Sequence, residues 1–134
     1  MQFAASVFRC LDTLPRAVSS KVIALQLGRS ASSVGANYHE ANRGSSPADF
    51  ANKIAISLKE CSESYYWLEL LLTLCPEHKA IKGLLLECEE LLKIFQTIDR
   101  RMHTINSNRA RSATSAIRRF DDSDDSTISQ GGLS

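Results

Sequence analysis

The chain has 134 residues, enough for one domain with a single core and too few to require a second. Apolar residues make up 43% and charged residues 23% of it, values that exclude a chain disordered throughout, and six Gly and three Pro leave room for long helices. The net charge of +1 excludes a strongly acidic or basic protein, and the most apolar run, residues 65–74, is too short to span a bilayer and contains Glu69.

The charge is distributed unevenly along the chain. Residues 1–120 hold all 16 Lys and Arg and 11 of the 15 Asp and Glu, which leaves a net charge of +5. Residues 121–134 hold four Asp and no basic residue, a net charge of −4. A basic body can meet an acidic partner, although a surplus of this size most often serves solubility.

The four cysteines, at positions 10, 61, 75 and 88, include no C-x-x-C pair. Cys61 and Cys88 fall on apolar helix faces, where a thiol behaves as a small core residue. The start of the sequence has no signal-peptide pattern, so we expect all four to be reduced thiols in a cytoplasmic protein.

Two helices are predicted in the first 42 residues. Phe3, Val7 and Cys10 have helical spacing and predict a short first helix over about residues 2–13, which Pro15 ends. A second helix is predicted over about residues 16–42. Its apolar positions include Val18, Val22, Leu25 and Val34.

The middle of the second helix, residues 28–36, consists mostly of Gly, Ser and Ala. Gly costs up to ~1 kcal/mol relative to Ala inside a helix, so a compensating interaction is needed. A neighbouring helix packed at short distance would supply it. A turn over residues 28–30 is the competing interpretation.

The third helix is predicted over residues 47–74 and has a clear start signal. Ser46 suits the N-cap, Pro47 the first helical position and Asp49 the first turn, where backbone N–H groups are unpaired. From residue 65 the helix is apolar on nearly every side and needs more than one covering surface. We interpret this excess as a subunit interface, with coverage by the short first helix as the alternative. The predicted interface residues are Tyr65, Tyr66, Trp67, Leu70, Leu71 and Leu74.

The fourth helix is predicted over about residues 77–106, after Pro76. Its apolar residues alternate at steps of three and four and form an a/d seam, either within one chain or between chains. They are Ile81, Leu84, Cys88, Leu91, Phe95, Ile98, Met102 and Ile105. We expect residues 1–106 to form a four-helix bundle and residues 107–134, rich in Arg and then in Asp, to be disordered, with a helix over residues 113–120 in the presence of a partner as the alternative.

The sequence contains no constellation that points to catalysis or to a metal site. His39-Glu40 lacks the second histidine of a zinc-protease motif, because position 43 is Arg. Glu60 and Glu63 lie one turn apart but lack the histidine of a di-iron Glu-x-x-His motif. No nucleophile has a recognisable base, and no glycine-rich phosphate loop follows a strand. We therefore expect no enzymatic activity, no cofactor, no metal, no membrane contact and no small-molecule substrate.

A polar stripe on the second helix is the first candidate site. Its members follow one another at steps of four, four and three, so they share a face. They are Arg29, Ser33, Asn37 and Glu40. If that face is buried its groups need partners, and the candidates on the third helix are Lys59, Glu60 and Glu63. The stripe is either a recognition surface or an interhelical network that fixes register.

Six arginines between residues 100 and 119 are the second candidate site. They are Arg100, Arg101, Arg109, Arg111, Arg118 and Arg119. No acidic residue lies among them, so they can contact the phosphates of RNA or DNA with an affinity that falls steeply with salt. They lack interleaved aromatic residues for stacking on bases, and the aspartates that follow can mask them.

Three stretches carry a resemblance to a known family. They are residues 28–41, GRSASSVGANYHEA, residues 46–50, SPADF, and residues 57–71, SLKECSESYYWLELL. Together they resemble the bacterial four-helix-bundle proteins named after intervening sequences in 23S ribosomal RNA genes, and the likeness extends over about residues 3–106.

The resemblance implies an all-α subunit, an antiparallel up-down four-helix bundle that assembles into a homopentameric ring. It also implies no catalytic activity. Related accessory proteins of diversity-generating retroelements are pentamers whose basic surface binds nucleic acid and a reverse transcriptase. We therefore expect a non-enzymatic, self-associating scaffold or adaptor. The alternative is a nucleic-acid-binding accessory protein that acts on RNA or DNA, with a reverse transcriptase as a further partner.

Overall fold

In the computed structural model, which describes residues 2–44 and 46–128, the chain contains four helices and no strand. They are α1 (Gln2–Leu11), α2 (Val18–Ala41), α3 (Pro47–Leu74) and α4 (Lys79–Ile128). The predicted all-α fold is confirmed. No helix in this part of the chain is both long and apolar enough to cross a membrane. The chain divides into two compact units, residues 1–99 and residues 100–134.

The start of α3 is fixed by local hydrogen bonding. The Ser46 hydroxyl accepts a hydrogen bond from the backbone N–H of Asp49 at 3.1 Å, and Pro47 occupies the first turn, where its missing N–H costs nothing. A turn at residues 76–77 separates α3 from α4, so α4 begins at Lys79 and not at residue 77.

All four helices contribute to the core of the first unit. The innermost side chains are at most 1% exposed, and they follow the helical spacing expected for inward-facing stripes. They include Val7, Leu27, Ala31, Ile54, Cys61, Leu68, Leu71, Ile81 and Cys88. The predicted bundle is therefore confirmed, and the first half of the a/d seam of α4 lies inside one chain.

Helices α2 and α3 run antiparallel to each other and form a helical hairpin. The contacting pairs are Ser30 with Ser64, Val34 with Ser57, and Glu40 with Lys53. Residue numbers rise along α2 while they fall along α3. The helix continues through residues 28–30, so the competing turn is not formed.

Helix α1 packs on α2 and on the first part of α4. Gly28 leaves room for the ring of Phe8, whose Cε1 lies 3.1 Å from the position that a Cβ on Gly28 would occupy. Residues of α1 and α4 also line a shared cleft of about 460 Å³, with Cys10 on one side and Leu84 on the other. Because α1 lies here, it does not cover the exposed residues in the second half of α3.

The second unit differs from the sequence expectation. The helix was predicted to end near Asn106 and to be followed by disorder, but α4 continues to Ile128. The sequence contains no Gly or Pro between Gly83 and Gly131, and it has strong helix formers at Ala110, Ala113 and Ala116. Local helix propensity therefore prevails over the polar composition. The closing residues 129–134 lie outside the described part of the chain.

Candidate functional site

An ion pair joins α2 to α3 at the surface. Arg29 donates one hydrogen bond to the carboxylate of Glu63 and another to that of Glu60 at 3.4 Å. Trp67 adds a third contact, its indole N–H lying 3.4 Å from the Glu63 carboxylate. The hydrogen bond from Arg29 lowers the pKa of Glu63, because it stabilises the ionised form. These contacts bring together three members of the predicted polar network.

The remaining members of that network are placed differently. Glu40 pairs with Lys53 at 2.6 Å, and this bond lowers the pKa of Glu40. Lys53 was not among the predicted partners, although the antiparallel register that pairs Arg29 with Glu63 places Glu40 near residue 52. Lys59 is exposed and acts on Glu63 through its charge. The network is thus two separate ion-pair clusters along the hairpin.

Two predicted members stay within their own helix. The side-chain amide of Asn37 donates to the carbonyl oxygen of Ser33 at 2.9 Å and lies 3.0 Å from its hydroxyl oxygen. Such a bond satisfies the amide locally and does not reach α3.

Buried serines, which the sequence interpretation missed as a group, connect the same two helices. Ser64 donates to the hydroxyl of Ser30 at 2.8 Å, and Ser57 donates to the carbonyl oxygen of Val34 at 3.1 Å. All three serines are fully buried. Because a serine side chain is short, these bonds require the two backbones to approach closely. The signal was present in the small residues of α2 and in the seven-residue spacing of Ser57 and Ser64.

An exposed apolar surface adjoins the ion pair. On α2, Val18, Val22, Leu25 and Arg29 follow at steps of four, three and four, and on α3 the same steps connect Glu63, Trp67, Leu70 and Leu74. Because Arg29 meets Glu63 and the helices are antiparallel, the two stripes run side by side. We call their apolar part, together with Tyr66, the apolar face. Its five most exposed members, each at least 53% exposed, are Val18, Val22, Leu25, Tyr66 and Leu74.

The apolar face agrees only in part with the predicted subunit interface. Tyr66 and Leu74 are exposed, while Tyr65, Trp67 and Leu70 are partly buried against the core. Leu71 is 1% exposed and belongs to the core, because it continues the inward stripe of Cys61 and Leu68 rather than the outward one. Its assignment to the interface is corrected.

The α2 half of the apolar face consists of Val18, Val22 and Leu25, which were expected only as apolar positions of this helix. All three are exposed, and the core of α2 is a different stripe. That core stripe consists of Ile23, Leu27, Ala31 and Val34. Helix α2 therefore has two apolar stripes, and among the described residues only the core stripe is covered.

The six predicted arginines all lie exposed on α4, in the second unit. Arg100, Arg111 and Arg118 are separated by 11 and 7 residues, close to three and two helical turns, so they lie in line over about 27 Å. We call these three the arginine stripe. Arg109 projects from the opposite side of the helix, and Arg119 bonds back to Ser115.

A hydroxyl and an imidazole also meet where α1 ends. Thr13 Oγ1 lies 3.0 Å from His78 Nε2, but it donates its own hydrogen to the carbonyl oxygen of Cys10 at 2.6 Å. It therefore accepts from His78 and is not activated as a nucleophile. Among the described residues, no group of three or more His, Cys, Asp or Glu is arranged to hold a metal ion.

The sequence model of the family described as 23S rRNA-intervening sequence protein matches residues 1–97. The chain belongs to this family. A solved structure, described as a protein with unknown function from the S23 ribosomal protein family of Bacteroides thetaiotaomicron, is 33% identical. The match covers 73% of this chain and 92% of the chain in that structure, with a TM-score of 0.62. No protein of curated function matches the chain. The family match includes the apolar face and ends before the arginine stripe.

Proposed function

We propose that this member of the 23S rRNA-intervening sequence protein family is a non-enzymatic scaffold or adaptor that associates with copies of itself through the apolar face. The observation that supports this proposal is the pair of adjacent stripes on α2 and α3, in which Val18, Val22, Leu25 and Leu74 are each more than half exposed. Large contiguous apolar patches are rare on monomeric proteins, because water contact with them is unfavourable. The resemblance to family members that form rings adds a homopentamer as the expected assembly.

The ion pair beside the apolar face fits the rim of such an interface. Protein interfaces commonly combine an apolar centre with a polar border that contains Arg. Arg29, with its side chain 50% exposed, is paired with two carboxylates of its own chain, so its positive charge is compensated within the subunit. The rim would thus exclude water without opposing association.

Sedimentation velocity and equilibrium at micromolar concentration test this proposal. The unmodified chain should sediment as a discrete oligomer, and Leu25→Glu and Leu74→Glu should each raise the dissociation constant by roughly 30-fold or more, as at an interface hot spot. Leu86→Glu on α4, which is 65% exposed and outside the apolar face, is the matched control for an added surface charge. A monomeric unmodified chain would refute the proposal.

Nucleic-acid binding is the second candidate function, favoured by the arginine stripe. A helix that aligns three exposed guanidinium groups can contact several phosphates of RNA or DNA along one side. This would suit an accessory protein that acts with a nucleic acid and, as the resemblance implies, with a reverse transcriptase. It is independent of the apolar face, since the stripe lies in the other unit.

Binding to duplex RNA and duplex DNA across a salt series tests the second candidate. Three phosphate contacts predict a slope of log K against log salt of about −3, and Arg111→Ala should reduce its magnitude by about one. Arg109→Ala, on the opposite side of the same helix, should leave the slope unchanged. No binding at low salt would remove this candidate.

A further inference from the structure

Two thiols meet in the core between α3 and α4. The sulfur atoms of Cys61 and Cys88 are 3.8 Å apart, and both residues are fully buried. The Cys61 sulfur lies 3.6 Å from the carbonyl oxygen of Cys88, and the Cys88 sulfur lies 3.4 Å from the carbonyl oxygen of Cys61. Each thiol thus points across the helix interface toward the other residue.

This geometry is close to that of a disulfide. An S–S bond is about 2.05 Å long, so the sulfurs must approach by about 1.8 Å. Each sulfur turns on the Cα–Cβ bond, so rotation of both side chains contributes to this approach. Both thiols are part of the core, and neither the apolar face nor the arginine stripe includes them.

We propose that Cys61 and Cys88 are an oxidisable dithiol, which hydrogen peroxide converts into a disulfide between α3 and α4. In the first step the Cys61 thiolate attacks a peroxide oxygen, an S–O bond forms, the O–O bond breaks, and the departing hydroxide takes up a proton to become water. In the second step the Cys88 sulfur attacks the Cys61 sulfur, the S–S bond forms, and the S–O bond breaks. The second hydroxide leaves with the Cys88 proton as water, so two thiols are oxidised and one peroxide is reduced to two waters.

The contact between the two sulfur atoms is symmetric, because either thiol can donate its hydrogen to the other. The reaction is written with Cys61 as the attacking group and Cys88 as the resolving one, and the reverse order gives the same disulfide. Because both are buried, peroxide reaches them during local opening of the bundle, and the reaction is slow compared with that of an exposed thiol.

The cross-link would change the behaviour of the bundle. It ties the middle of α3 to α4 across a loop of 26 residues, residues 62–87, and constrains the unfolded chain. A thiol reductant reverses it. The bundle is therefore more resistant to unfolding when oxidised, and this property does not depend on self-association.

The experiment treats the full chain with hydrogen peroxide, unfolds it, alkylates the free thiols with N-ethylmaleimide, and measures intact mass and disulfide-linked peptides. The expected product carries two alkyl groups fewer, a disulfide between Cys61 and Cys88, and a thermal midpoint raised by roughly 10–20 °C before reduction. Cys75→Ser, which removes a partly exposed thiol, is the matched control and should give the same product.

Several outcomes would overturn the proposal. They are full alkylation after peroxide treatment, sulfinic acid at Cys61 without a disulfide, and a disulfide that joins Cys10 to Cys75, whose thiols also interact electrostatically. Cys88→Ser removes the resolving thiol and should abolish the cross-link. Peptide mapping of the unmodified chain decides the question even if that variant does not fold.

Discussion

Arg29 of α2 and Glu63 of α3 form an ion pair that marks the boundary between the close-packed part of the hairpin and the apolar face. Toward residue 41 of α2, buried serines hold the two helices together. Toward residue 18, large apolar side chains are exposed instead. The pair also fixes the register of the hairpin, because it specifies which turn of α3 lies beside each turn of α2.

Glu63→Gln tests the contribution of this pair through its pH dependence. The pKa of Glu63 is lowered in the folded chain, so its stabilising effect is complete above the unfolded pKa, about 4.3, and is lost as the pH falls through the folded value. At pH 7 the variant should unfold at a temperature lower by at most about 5 °C, since the pair is partly exposed. The difference from the unmodified chain, measured by thermal denaturation, should shrink as the pH falls below the unfolded pKa of about 4.3. Glu77→Gln, in the α3–α4 turn, is the control, and a difference independent of pH would contradict the assignment.

Leu71→Ala and Leu74→Ala compare the loss of a core side chain with the loss of a surface side chain within one turn of α3. Leu71 is 1% exposed, so its truncation should lower the free energy of unfolding by about 2–5 kcal/mol. Leu74 is 54% exposed, so its truncation should change the stability of the subunit by less than about 0.5 kcal/mol. Urea denaturation of each variant, at a concentration where the assembly is dissociated, measures the two effects. Equal losses would place both side chains in the core.

The sequence predicts the helices of the first unit well because each has helical apolar spacing, and α3 also has a start signal. The Ser46 hydroxyl caps α3 in the expected way, and Ile81, Cys88 and Phe95 of the seam are buried. These features depend on residues within one helix. Periodicity shows that a helix has an apolar stripe, but it does not show which neighbour covers the stripe.

The candidate site is less predictable for that reason. Both stripes of α2 have helical spacing, and only the packed fold shows that Leu27 faces inward while Leu25 faces outward. The same ambiguity misplaced Leu71. Lys53 was missed as the partner of Glu40 because its identification requires the register of the hairpin, which one helix alone does not specify.

Gly83→Ala should raise the free energy of unfolding of the bundle, and Gly28→Ala should raise it less. No atom outside its own helical surroundings lies within 4 Å of the position of a Cβ on Gly83, so alanine should add about 0.5–1 kcal/mol through helix propensity. At Gly28 the new methyl group would meet the Phe8 ring at 3.1 Å, and displacement of that ring offsets the gain. Chemical denaturation of both variants measures the contrast. A larger gain at Gly28 would show that Phe8 does not pack there.

Ala113→Pro tests whether α4 continues through the arginine-rich segment. Proline removes a backbone donor and clashes with the preceding turn, so it should interrupt the helix at a cost of about 3 kcal/mol or more. Residues 103–124 are exposed and bury no core side chain, so the thermal midpoint of the first unit should not change. Circular dichroism should show a loss of helical signal, and Cα chemical shifts should locate that loss to the residues around position 113. Ala113→Ser, with a milder effect on helix propensity, is the matched control.

Random-coil shifts over residues 107–124 of the unmodified chain would support the disorder predicted from composition and contradict the continuous helix.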